Sequence, residues 1–250
     1  HEKARKAVAE FISAKSEKAL LRQLDEAARQ PITADQFTQQ LANRYKPAPT
    51  ISLPSIAPDQ LHQHLLAAYQ HIVSQLTSRP PQLDSHAQRI LSDTTRWLHL
   101  HPKPGLLLRG GVGVGKTTLM QAIQAVVQIL AHQPLPIWEA QSIARLGKGS
   151  EGQAVLKNLA TAPLLGIDDL GTEPLTVKDY GNDTLPIVEL LTTRYTRRLP
   201  TIISTNLTTI QRDGQTVDEI ADRYGLRIAD RLHELCNTIT YHPEQPSYRQ

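Results

Sequence analysis

Residues 110–117 read Gly110-Gly111-Val112-Gly113-Val114-Gly115-Lys116-Thr117. This stretch matches the pattern G-x-x-x-x-G-K-[ST] of a phosphate-binding loop. Three leucines precede it at 106–108, and the segment 118–130 that follows has apolar residues at helical spacing and neither Pro nor Gly. A strand that enters a glycine loop and then a helix directs backbone N–H groups and the positive helix end at one point. The sequence therefore predicts a polyphosphate site here, with Thr118 as its last member.

Two residues of this loop have predicted roles of their own. We expect Lys116 to contact the terminal phosphates and Thr117 to place its hydroxyl on Mg²⁺. Such a site needs an acidic partner at the end of another buried strand, and Asp168 and Asp169 follow the apolar run 164–167. Adjacent carboxylates in this position cost free energy unless a cation or hydrogen bonds compensate them. We expect Asp168 to hold Mg²⁺ through water and Asp169 to polarise the attacking water.

A third apolar run, 200–205, ends at Asn206. If this strand lies between the other two, Asn206 reaches the γ-phosphate and can orient water. The alternative is a simple turn in which the Asn206 side chain bonds its own backbone.

Composition limits the class of protein. The chain has 250 residues, 40% hydrophobic and 20% charged, which is an ordinary globular balance. No apolar run approaches the ~20 residues of a membrane helix, and one cysteine allows no internal disulfide. We expect a soluble, unexported protein of the cytoplasm with no membrane contact.

The helical and strand patterns predict four regions. Residues 1–46 have two helical patterns, 47–59 are a proline-rich linker, 60–99 carry two further helices, and 100–250 alternate short apolar runs with helical segments. Five predicted strands in this last region favour an α/β fold with a parallel sheet. The net charge of +3 comes entirely from 1–46, which hold nine basic and six acidic residues. That excess is compatible with nucleic acid or an acidic partner, but also with a solvated helix.

The motif series resembles the DnaC/IstB-type AAA+ ATPases, which include bacterial helicase loaders and transposition helpers. The resemblance covers about 90–250 and rests on these segments: GGVGVGKTT (110–118), LLGIDDLGTE (164–173), IVELLTTRY (187–195), PTIISTNL (200–207) and YGLRIADRLHE (224–234).

The resemblance implies a fold, a substrate and further site residues. The fold is an AAA+ P-loop core with a five-stranded parallel sheet, preceded by a small helical domain, with the Asn206 strand between the two motif strands. ATP and Mg²⁺ are implied. Arg231, or else Arg227, would be an arginine finger on ATP in a neighbouring subunit. The alternative is that both pair with acidic residues on their own helix, Asp230 and Glu234.

Two positions depart from the family or match it less closely. Many AAA+ proteins carry Glu where Asp169 stands, so slow turnover is expected and Glu173 is a second candidate for the catalytic carboxylate. Arg249 resembles a nucleotide-sensing arginine near the end of the family's fold.

Three functions follow as hypotheses. The first is an ATP-dependent loader that binds a hexameric replicative helicase through its N-terminal helices, binds single-stranded DNA, and self-associates through its ATP site. The second is an IstB-like helper ATPase that acts on duplex DNA with a transposase. The third is a P-loop small-molecule kinase. The cluster Arg194, Arg197 and Arg198 is interpreted as a solvated helix end rather than a DNA contact.

Overall fold

The computed structural model describes residues 32–44, 51, 53–76, 83–179 and 182–241. The chain divides into two compact units, residues 1–47 and 48–250. In the first unit, helix α1 (Ala34–Arg44) begins with a reciprocal cap. Thr33 N donates to Gln36 Oε1 at 3.0 Å, and Gln36 N donates to Thr33 Oγ1 at 3.2 Å, as their spacing predicts. The helix predicted upstream, over 7–28, lies outside the described residues.

The second unit is an α/β domain with two leading helices. Its helices are α2 (Pro58–Leu76), α3 (Ser85–Leu100), α4 (Lys116–Ala131), α5 (Ala140–Arg145), α6 (Gly149–Thr161), α7 (Pro186–Thr196), α8 (Glu219–Tyr224) and α9 (Leu226–Leu235). Its strands are β1 (Gly105–Arg109), β2 (Ile137–Glu139), β3 (Leu165–Leu170), β4 (Val177–Asp179), β5 (Asn182–Thr184), β6 (Thr201–Thr205), β7 (Thr209–Arg212), β8 (Gln215–Asp218) and β9 (Cys236–Thr240).

Five strands form one parallel sheet in the order β2-β3-β6-β1-β9. The prediction of a five-stranded parallel sheet is therefore confirmed. Strand β6, which leads to Asn206, lies between β1 and β3, so the carboxyl ends of the three motif strands are adjacent. This order brings together residues that are far apart in the sequence.

Both faces of the sheet are covered. Along β1, Leu106 and Leu108 belong to one hydrophobic core, and Leu107 belongs to the other. Successive residues of a strand point to opposite faces, so a strand that is buried on both sides needs an unbroken apolar run. The first core is completed by α2, α3 and α4, and the second by α5 to α9.

The first core also includes part of the proline-rich stretch. Ile51 is buried in it, and Leu61 and Leu65 of α2 are fully buried there. Residues 48–99 thus belong to the same compact unit as the sheet. The division of the chain into functional regions at residues 46, 59 and 99 stays a prediction.

Two antiparallel hairpins were not predicted. Strands β4 and β5 lie within the segment 173–185, and β7 and β8 follow Asn206. The second hairpin turns through Asp213 and Gly214, both with positive φ, at 52° and 75°. An Asp-Gly pair with two left-handed residues is typical of a tight hairpin turn, so the sequence did contain this signal. Within the described ranges, no helix is both long and apolar enough to span a bilayer.

Candidate active site

The glycine loop joins the buried strand β1 to helix α4. Gly113 and Gly115 have φ of 81° and 93°, in the left-handed region that favours glycine. A Cβ on Gly110 would come within 2.5 Å of Tyr241 Cβ, so the chain cannot carry a side chain there without a shift. The loop is thus a turn of backbone amides at the start of a helix, which is an arrangement that binds anions.

Lys116 is buried in the mouth of this loop. Its ammonium group donates to the carbonyl oxygens of Gly110 at 2.8 Å and Gly111 at 2.6 Å, and to Asn206 Oδ1 at 2.7 Å. The structure therefore brings Lys116 and Asn206 together, although 90 residues separate them. A positive charge and an amide lie at the same edge of the sheet.

Thr117 and Asp168 form the second half of the site. The Thr117 hydroxyl lies 3.1 Å from Asp168 Oδ1 and 3.0 Å from Oδ2. The buried Ser204 hydroxyl also donates to Asp168 Oδ1. Hydroxyl and carboxylate oxygens are the donors that Mg²⁺ prefers, so these residues fit the metal that accompanies a polyphosphate. Thr117 and Asp168 are the residues that would hold it.

Asp169 lies at an irregularity of strand β3. The pairing of β3 with β6 shifts between Ile167 and Leu170, and Asp169 has a φ of 53°. Its N–H donates to Ser204 Oγ at 2.9 Å instead of to a strand partner. Bulges of this kind redirect side chains, and they are common beside active sites. Ser204 therefore binds both members of the acidic pair, a role that the sequence analysis missed.

Glu173 is turned into the protein. Glu173 is only 1% exposed. Its Oε2 accepts from Gly171 N at 2.9 Å, and its Oε1 accepts from the Tyr224 hydroxyl. Burial, and then the bond to Glu173, raises the pKa of Tyr224 above its usual value. Both oxygens of Glu173 are therefore bonded within the chain. No sequence signal pointed to Tyr224, which lies 51 residues away.

Arg109 is another residue that the sequence analysis missed. It is the last residue of β1, directly before the glycine loop, and it is buried. Its guanidinium donates to the Leu207 carbonyl at 3.0 Å and to Asp218 Oδ1 at 2.6 Å. A charged residue at the end of a buried apolar run was the signal that could have indicated it.

The two candidate fingers lie on α9 in different surroundings. Arg231 donates to Thr192 Oγ1 at 3.0 Å, and its guanidinium carbon lies 5.1 Å from the centre of the Tyr195 ring. Arg227 is exposed. Arg231 thus contacts α7, and Glu234 pairs with Arg198 at 3.0 Å rather than with Arg231. Arg249 lies outside the described residues.

The interpretation of Arg194 as part of a solvated cluster is wrong. Arg194 is fully buried and donates to the carbonyl oxygens of Leu159, Ala162 and Pro200 and to Thr201 Oγ1. Burial lowers the pKa of its guanidinium to about 10, which leaves it protonated at neutral pH. The sequence placed it at the end of a helix, but the four acceptors that surround it come from α6, β6 and the segments beside them.

Comparisons with known proteins identify the fold. No family model matches the sequence, and no curated protein matches it significantly. Among solved structures, the crystal structure of the DnaC helicase loader matches 67% of this chain and 96% of its own, with 24% identity and a TM-score of 0.52. The crystal structure of DnaI matches 63% of this chain and 85% of its own, with 24% identity and a TM-score of 0.47.

A third match is AMPPCP-bound DnaA from Aquifex aeolicus, which covers 65% of this chain and 49% of its own, with 18% identity and a TM-score of 0.46. The match to the DnaC helicase loader concerns the fold. Together with the sheet order and the glycine loop, it shows that the chain has the fold of the DnaC-like AAA+ ATPases.

Proposed function

We propose that this chain is a cytoplasmic ATPase that loads a replicative DNA helicase. The ATPase part is supported by one observation: Lys116 contacts Asn206 and Thr117 contacts Asp168 at the carboxyl ends of three neighbouring strands. The loader part is supported by the fold shared with the DnaC helicase loader over nearly all of that chain. Single-stranded DNA and further copies of this chain are the other proposed partners.

The nucleotide would bind across the glycine loop. The Lys116 ammonium and the loop amides would bind phosphate oxygens. Beside the loop lies a small crevice, lined by Tyr69, His86, Ala87, Ile90, Leu91, Val114, Leu119 and Tyr241. Most of these side chains are apolar or aromatic, which suits the faces of a purine ring. The crevice has room for about one water molecule, so an adenine ring would enter it only if these side chains moved apart.

Hydrolysis would depend on Asp169 and Asn206. Asn206 is held beside the Lys116 ammonium, so its amide can orient a water molecule next to the terminal phosphate. The bulge in β3 turns Asp169 away from the regular pleat at the same edge of the sheet, where it can polarise that water. Mg²⁺, when bound, supplies charge neutralisation at the phosphates.

An arginine from a neighbouring subunit would complete the site. Arg231 is our first choice and Arg227 the second, and a guanidinium delivered in trans makes hydrolysis depend on assembly. Mixing Arg231→Ala protein with Asp168→Asn protein should restore phosphate release, because each supplies what the other lacks. Arg227→Ala protein is mixed in the same way. If neither mixture regains activity at any ratio, the finger does not act in trans.

The catalytic assignment is tested by removing the ammonium. In Lys116→Ala, phosphate release from ATP should fall ~100-fold or more, since one preorganised charge is lost from the transition state. Lys157→Ala removes an exposed lysine of α6 and is the matched control. Equal activity in both variants would contradict the assignment.

The partner is tested with the full chain. Mixed with a replicative helicase and ATP, the protein should elute as one complex with the helicase. Retention of a transposase on duplex DNA, without the helicase, would favour the helper function. Phosphate transfer to a small acceptor, rather than its release, would favour the kinase.

A further inference from the structure

Helix α8 is six residues long and leads directly into the arginine helix α9. Gly225 separates them with a φ of 85°, and its N–H donates to the Ala221 carbonyl at 2.9 Å, while its carbonyl accepts from Ile228 N at 3.1 Å. Gly225 is the only residue between the two helices. The position of α8 therefore determines where α9 begins, and with it the positions of Arg227 and Arg231.

The carboxyl end of α8 is bonded to the turn that follows the acidic pair. Tyr224 donates its hydroxyl to Glu173 Oε1, and Arg223 donates to the Glu173 backbone carbonyl. Glu173 Oε2 accepts from Gly171 N in the same turn. We call these contacts the Glu173–Tyr224 link. It joins a segment that begins at Asp169 to the last residue of α8, which only Gly225 separates from the arginine helix α9.

The amino end of α8 is bonded to the other half of the site. Asp218 caps α8 by accepting from Ile220 N at 3.1 Å, and the same oxygen accepts from Arg109 at 2.6 Å. Arg109 directly precedes the glycine loop. Both ends of α8 are thus held by residues adjacent to the phosphate and metal sites of the same chain.

Burial of the Glu173 carboxylate requires an explanation. A carboxylate that is almost completely removed from water costs free energy unless hydrogen bonds satisfy it, and here both oxygens are bonded within the protein. Its partners are a backbone N–H of the turn and a tyrosine of α8, which are groups that hold the chain in place. The same helix could be packed with apolar residues alone, but such a contact would not fix its orientation as a hydrogen bond does.

We propose that Glu173 and Tyr224 are positioning residues that set the arginine helix in relation to the Asp168–Asp169 turn of the same chain. The proposal rests on the proposed function, because it concerns how the finger is presented to a neighbouring subunit. A subunit without the link keeps a competent ATP site but presents its finger poorly. The link would therefore affect the activity of the neighbour and not that of its own site.

Mixed assemblies distinguish these two effects. Asp168→Asn protein has a damaged site and an intact arginine helix, whereas the double variant Arg227→Ala/Arg231→Ala has an intact site and no finger. Tyr224→Phe alone should lose about tenfold in phosphate release, as expected for one hydrogen bond to a charged group. Mixed with Asp168→Asn it should regain activity, because that subunit supplies a well-placed finger. Mixed with the arginine double variant it should regain none.

Two further variants serve as controls for Tyr224→Phe. Arg223→Met removes the other contact of the link and should behave like Tyr224→Phe, whereas Thr161→Val, which removes a hydroxyl bonded within α6, should behave like the wild type. ATP-analogue binding should be near wild type for all three, and each should still unfold in one cooperative transition, with Tyr224→Phe less stable because Glu173 Oε1 loses its donor. Rescue of Tyr224→Phe by the arginine variant, rescue by neither protein, or full activity of Tyr224→Phe alone would each overturn the proposal.

A mixture of Asp168→Asn protein with the Arg227→Ala/Arg231→Ala double variant separates this proposal from the proposed function. If Asp168→Asn and the arginine double variant do not restore each other, no finger acts in trans, and the proposal falls with that premise. If they do restore each other and Tyr224→Phe shows the wrong pattern, only the link is overturned.

Discussion

At the residue scale, the positions of Asp168 and Asp169 depend on one hydroxyl group, that of Ser204. Its hydroxyl donates to Asp168 Oδ1 and accepts from Asp169 N, so one atom holds both aspartates at the bulge of β3. A serine in the middle of an apolar strand, between Ile203 and Thr205, carries little meaning in a sequence. The role of Ser204 follows only from the sheet order, in which β3 and β6 are neighbours.

Ser204→Ala should therefore impair the site without removing either carboxylate. The Asp169 N–H loses its acceptor, which costs ~1–3 kcal/mol of stability when such a group is buried. We expect ATP binding to persist and phosphate release to fall ~10-fold, because charged groups must be held in place to act. Steady-state hydrolysis is the measurement. Thr238→Ala, an exposed hydroxyl on strand β9, is the control, and equal losses in both would contradict this role.

Arg194 is a second residue whose role depends on its surroundings. Four oxygen acceptors, three of them backbone carbonyls, surround its guanidinium. In Arg194→Met these acceptors stay buried without donors, so the free energy of unfolding should drop by ~3 kcal/mol or more. Urea unfolding measures it. The exposed neighbour Arg197→Met should change stability little, and a similar loss in both would show that the buried bonds contribute nothing.

At the scale of elements, the β4–β5 hairpin is attached to helix α6 by one carboxylate. Asp179 Oδ1 accepts from Gly149 N at 3.0 Å, and Oδ2 accepts from Gln153 at 2.8 Å. The N-cap residue of α6, Lys148, forms no side-chain cap, so an aspartate from another element satisfies this helix end. Local periodicity could not reveal this contact, because the two elements are 30 residues apart.

We expect Asp179→Ala to loosen the hairpin and the first turn of α6 together. Loss of an N-cap acceptor costs ~1 kcal/mol, which is enough to raise local opening without unfolding the domain. Amide hydrogen exchange over 149–153 and 177–184 should become faster, while exchange in β1 and β6 stays slow. Asp183→Ala on strand β5 is exposed and serves as the control. Unchanged exchange at Gly149 would contradict the capping role.

The long helices α2, α3 and α4 and the five strands of the sheet could be predicted from the sequence because each has a local signal. Leu106, Leu107 and Leu108 face alternate cores, so the strand is apolar throughout, and the glycine loop marks its end. Contacts such as Glu173 with Tyr224, or Arg109 with Asp218, have no such signal. They depend on the order of strands and on short helices that bring distant residues together.

At the scale of the molecule, the leading helices α2 and α3 belong to the ATPase half. Leu61 and Leu65 are fully buried in the same core as Ile123 of α4. Burying a leucine contributes ~1.5–3 kcal/mol, so α2 alone accounts for a large part of the net stability of a domain. A fragment of residues 48–250 should unfold in one cooperative transition, whereas 83–250 should be unstable. Urea unfolding compares them, and equal midpoints would show that α2 is dispensable.

The division of the chain at residue 47 also makes the loader proposal testable in its parts. If residues 1–47 bind the helicase, then fragment 48–250 should hydrolyse ATP but no longer elute with the helicase, whereas full-length Lys116→Ala should retain the binding surface and lose hydrolysis. The two proteins therefore separate partner recognition from chemistry. The basic excess of the first 46 residues predicts that the complex weakens as salt is raised, since exposed charges are screened over a Debye length of ~10 Å at 0.1 M salt. Undiminished helicase binding by 48–250 would place the partner surface on the ATPase half instead.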